Sequence, residues 1–61
     1  MAVIFLKSGG TATCGGYTIK NGAVKAIGPE FKDTPLPEEK AKPIEADIPL
    51  ENVLFIIPGK L

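Results

Sequence analysis

Asn21-Gly22, set between two runs of alternating residues, limits this chain more than any other feature. An Asn-Gly pair suits a two-residue type I′ turn, because both turn positions need positive φ. Such a turn pairs Lys20 with Ala23, Ile19 with Val24, Thr18 with Lys25 and Tyr17 with Ala26. Tyr17, Ile19, Val24 and Ala26 then share one face, and Thr18, Lys20, Ala23 and Lys25 share the other. That separation is what a half-buried antiparallel pair needs, and a one-residue slip destroys it. The spacing therefore predicts a hairpin over 17–27.

The rest of the chain is punctuated for short strands. Ala2–Leu6 is apolar throughout and ends at Gly9-Gly10, too soon for a helix. Thr11-Ala12-Thr13 resumes an extended pattern, and Gly15-Gly16 reads as a bend, bulge or second turn. Gly28-Pro29 closes the hairpin. Ile44–Ile48 alternates apolar and charged residues, as a half-exposed strand does. Pro49–Asn52 suits one 3-10 turn. Val53–Ile57 is again apolar throughout, closed by Pro58-Gly59.

Between the hairpin and the late strands lies a Pro-rich connection. From Pro29 to Pro43 the chain carries four prolines and seven charged residues. Proline fixes φ and removes a backbone donor, so regular structure is discouraged, although Glu38–Lys42 could hold one helical turn. A connection this long in a compact domain is usually functional or disordered. It reads either as a solvated loop or as an arm lying on a neighbour; Phe31 and Leu36 are its large apolar residues, placed to anchor in a partner's pocket or equally to cap this chain's own core. The expected fold is all-β: one domain over 1–61, a small antiparallel barrel or roll of the SH3-like kind. It has five to six short strands and a long Pro-rich loop over 29–43.

Composition narrows the function. Seven lysines balance seven carboxylates, and there is no Arg. A nucleic-acid binder ordinarily shows a basic excess and uses Arg for bidentate contacts, so nucleic acid is not an expected partner. No His is present for acid–base work near neutral pH. Cys14 is the single cysteine; it has no base to make it a nucleophile and no mate in the chain for a disulfide. It reads as a small buried hydrophobe. One Cys without His also falls short of a zinc set. The glycine pairs match neither a dinucleotide fingerprint nor a P-loop and read as turns. The carboxylates Glu30, Asp33, Glu38, Glu39 and Glu45 interleave with Lys32, Lys40 and Lys42, the pattern of a solvated face. No catalytic residue, cofactor or metal is expected, and the chain is not expected to be an enzyme.

Neither apolar run reaches the ~18 residues of a membrane span or the ~7–15 of a signal-peptide core. The expected location is the cytoplasm, or a particle assembled inside a cell, as with small virion or phage accessory proteins.

What remains is an excess of apolar strand. Apolar residues make up 44% of 61 residues, and mean hydropathy is +0.17. A chain of this size buries only about 60% of its unfolded surface, so two all-apolar strands are more than it can cover alone. Either the Pro-rich segment folds over their outer faces, or another chain does. The second reading makes this a non-enzymatic assembly protein, a homo-oligomer or a subunit docking onto a larger complex. Its interface would draw on Ile4, Leu6, Leu54, Ile56, Phe31 and Leu36. The alternative is a binder that sequesters a small ligand or nucleotide at subunit boundaries, or inhibits a host enzyme. A peptide-reading adaptor is a third possibility, weakened by having only four aromatic residues.

Overall fold

The computed structural model describes residues 1–59. Seven strands and two 3-10 turns follow in order. The strands are β1 (Ala2–Leu6), β2 (Thr11–Cys14), β3 (Gly16–Lys20), β4 (Ala23–Ile27), β5 (Glu30–Lys32), β6 (Glu45–Pro49) and β7 (Val53–Ile57). The 3-10 turns are Glu38–Lys40 and Leu50–Asn52. All pairing is antiparallel, in a four-stranded sheet of order β5-β2-β1-β7 and a three-stranded sheet of order β3-β4-β6. The sheets do not close into a barrel.

The hairpin forms in the expected register, Lys20 opposite Ala23 through Tyr17 opposite Ala26. Asn21 and Gly22 both take positive φ, 51° and 74°, as a type I′ turn requires. The hairpin does not end where the glycines suggest. Beyond Gly16 opposite Ile27 the same register resumes as Thr13 opposite Glu30, Ala12 opposite Phe31 and Thr11 opposite Lys32. Two long strands thus run from one sheet into the other, bent at Cys14-Gly15 and Gly28-Pro29. Pro29 has no N–H to give the ladder, and Gly28 turns through φ 60°. The Gly15 N–H donates to the Ile27 carbonyl across the bend, at 3.1 Å. Those bends divide the expected five to six strands into seven.

The core lies between the sheets. Ala2, Ile4 and Leu6 of β1 meet Ala12 and Cys14 of β2, Val24 and Ala26 of β4, and Ile48 of β6. Tyr17, Phe31, Val53 and Ile56 pack at its margin. Half of the eight buried residues in this cluster are Ala or Cys, so it holds few large side chains.

The Pro-rich segment returns to its own chain. The Phe31 N–H donates to the Ala41 carbonyl at 2.8 Å, and the Gly28 N–H to the Ile44 carbonyl at 2.7 Å. Lys42 lies 3.9 Å from Glu30. Residues 41–44 therefore follow the outer edge of β5 and lead into β6 beside β4. The 3-10 turn before β7 is pinned at both sides. The Leu50 N–H donates to the Gly22 carbonyl, and the Lys7 N–H to the Asn52 carbonyl. The Ser8 N–H donates to Asn52 Oδ1 at 3.1 Å. Among the described residues, no helix is long and apolar enough to cross a membrane.

Candidate functional site

β1 and β7 were both expected to be apolar on two faces, and their pairing decides which face is free. Ile4 lies opposite Ala12 on one side and Ile56 on the other; Phe5 lies opposite Thr11 and Phe55; Val3 lies opposite Thr13 and Ile57. Ile4, Ala12 and Ile56 point into the core. Phe5, Phe55, Val3 and Ile57 share the opposite face, on which Val3 is buried, Phe5 and Ile57 are half-buried and Phe55 is exposed. A register shift opposite Phe5 and Leu6 makes Leu54 an extra residue, a β-bulge that breaks strict alternation.

The outward face carries a stacked pair. The Phe5 and Phe55 rings lie 4.7 Å apart between centroids, inclined by 29°. Phe55 is 54% exposed and its neighbour Leu54 58% exposed. The Pro-rich segment is bonded elsewhere, along the far edge of the sheet at β5.

The expected interface residues separate into two groups. Ile4 is fully buried and Leu6 nearly so, while Ile56 and Phe31 are half-buried against the core. Those four hold this chain together and do not form a free surface. Leu54 is exposed on β7, and Leu36 is 42% exposed on the Pro-rich segment. Phe31, expected either to anchor in a partner or to cap its own core, caps its own core. Phe5 and Phe55 stand where Ile4 and Ile56 were expected. The signal for this was in the neighbouring strand. Thr11-Ala12-Thr13-Cys14 alternates polar and apolar, and the short turn before it places Ala12 opposite Ile4, which fixes Ile4 as inward.

A second feature lies on the other sheet. An open depression of about 270 Å³ is lined by Lys20, Asn21, Ala23, Lys25 and Asp47. These are polar-face positions of the hairpin with one residue of β6. Lys25 also lies 3.9 Å from Glu45. No group of three or more His, Cys, Asp or Glu residues that could hold a metal is present among the described residues.

Cys14 is buried and unpaired. Burial pushes its thiol above the ordinary value, against smaller opposing effects of the N-terminal ammonium and a hydrogen bond from the Gly16 backbone. A raised folded pKa means that the unfolded chain loses this proton first, from about pH 8.5 upward. Cys14 therefore contributes no pH dependence below that range, and stability falls as pH rises through it. Urea midpoints at pH 7 and pH 10 are expected to differ more for the natural chain than for Cys14→Ala. Equal differences would contradict this.

No family model, curated protein or solved structure matches the chain.

Proposed function

We propose that this chain is a non-enzymatic interaction module that assembles with another protein through the face carried by β1 and β7. The observation that supports the reading best is exposed Phe55, stacked on half-buried Phe5, with exposed Leu54 beside it. Large apolar side chains grouped on a surface mark interaction sites. Each buried side chain of this size is worth about 1.5–3 kcal/mol, a gain that a chain with so few large core residues has reason to recover from a partner. The strand order, with a 3-10 turn between β6 and β7, favours describing the fold as an SH3-like roll. The setting that suits such a module is the cytoplasm, or a particle assembled inside a cell, such as a virion or phage.

A photo-crosslinking residue placed at Phe55 in the producing cell tests the reading. It is expected to give a covalent protein adduct, while the same residue at Asp47, on the other sheet, gives none. Absence of adducts at both Phe55 and Phe5 would end the proposal.

A second reading, a binder of small anionic ligands, draws support from Lys20, Lys25 and Asn21 around the open depression. A rise in melting temperature with nucleotide that is lost in a Lys20→Ala, Lys25→Ala chain would favour it over the first.

A further inference from the structure

Four strands form the edges of the two sheets, and they are not equally open. An edge strand offers unpaired N–H and C=O groups to any other strand, and proteins commonly blunt such edges with charges, proline or cover. β5 is covered by residues 41–44 of its own chain, through the Phe31–Ala41 hydrogen bond and the Lys42–Glu30 pair. β6 carries Glu45, Asp47 and Pro49. β3 has Gly16, Thr18 and Lys20 on its outward face. β7 is Val-Leu-Phe-Ile-Ile, with no charge and no proline. Only the bulge at Leu54 interrupts it, and Phe55–Ile57 remains in regular register with β1.

We propose that the occupant of this edge is the β7 strand of a second copy, added antiparallel about a two-fold axis beside Ile56. This rests on the reading of β7 as part of an interaction surface and names a partner for its edge; the outward apolar face stays open to the partner of that reading. Charge argues for the copy. Self-pairing brings every residue of a strand opposite a residue of the same strand, and like charges placed opposite each other are destabilising. β6 paired with itself about its centre would set Asp47 against Asp47. β7 brings no charge to the junction. With the axis beside Ile56, Phe55 of one copy lies opposite Ile57 of the other, clear of the bulge. Both residues belong to the outward face, so the two Phe5–Phe55 stacks extend one apolar strip across an eight-stranded sheet, β5-β2-β1-β7 followed by its symmetry mate.

This register is open to a disulfide test. Directly opposed residues of antiparallel strands have Cα atoms about 4.5–5.5 Å apart, within the disulfide range of about 4.4–6.8 Å. A mixture of Phe55→Cys and Ile57→Cys chains, mildly oxidised, is expected to give mainly the mixed disulfide; the buried Cys14 is common to both chains. Sedimentation of the purified natural chain is expected to give twice the 6.4 kDa chain mass, and of Phe55→Lys half that value with unchanged circular dichroism. Ile19→Lys, on the exposed part of β3, is expected to stay dimeric. A monomer at all concentrations, or a dimer broken by Ile19→Lys and not by Phe55→Lys, would overturn self-pairing through β7. If the natural chain is monomeric yet Phe55 crosslinks in the cell to a different protein, the copy is wrong and the interaction face stands. If it is monomeric and Phe55 and Phe5 crosslink to nothing, both fail.

Discussion

A chain carrying Ile4→Asp is expected to be unfolded at room temperature. Ile4 is fully buried on the inner face of β1, opposite Ala12 of β2 and Ile56 of β7. Loss of the apolar side chain removes about 1.5–3 kcal/mol of burial. A carboxylate in its place has no cationic partner in the core, where no polar or charged side chain is buried among the described residues. An uncompensated buried charge costs about 3–5 kcal/mol. At roughly 0.05–0.15 kcal/mol per residue, a domain of this size has only about 3–9 kcal/mol in total. Far-ultraviolet circular dichroism and one-dimensional proton NMR check this directly. A dispersed spectrum for Ile4→Asp would place Ile4 outside the core. Ile4 is therefore a probe of folding, and Phe55 a probe of association.

Gly10→Ala is expected to lower stability by about 2–4 kcal/mol, far more than the same change at Gly22; the left-handed backbone alone accounts for about 1–2 kcal/mol. Gly10 lies at the start of β2, across from the point where the chain leaves β5, with φ 85°. A Cβ there would lie 2.5 Å from the Lys32 carbonyl oxygen and 2.6 Å from that of Asp33. Both are backbone atoms, so relief requires moving the end of β5 and with it Phe31, which caps the core. Gly22 also has positive φ, but a Cβ added there would meet nothing within 4 Å, so it carries only the conformational cost. Urea denaturation of the two variants beside the natural chain gives both values. Equal losses would show that the approach of β5 to Gly10 does not matter.

The parts of this fold that were legible in the sequence are those fixed by local chemistry. Asn21-Gly22 set the turn, the turn set the register, and the register set Val24 and Ala26 inside. β1 and β7 begin and end as read, because glycine and proline bound them. What was not legible depends on contacts distant in sequence. Gly28-Pro29 signals a stop locally, yet the ladder resumes beyond it because Glu30–Lys32 finds Thr11–Thr13. Ile19 shares the apolar face of the hairpin but is 54% exposed, since the edge strand β3 has no further strand beside it. The bulge at Leu54 has no marker in a run of five apolar residues. For the candidate site, the two apolar strands were legible and their outward face was not, because a run without polar residues carries no sign of which side meets water.

Backbone hydrogen exchange of the natural chain at two concentrations tests the central claim most directly, because it reads the β7 edge without altering it. At a concentration favouring association, the outward amides of β7 are expected to exchange more slowly than in dilute solution, while those of the β3 edge keep the same rate at both. β7 amides that exchange as freely as the β3 edge at every concentration would contradict the account.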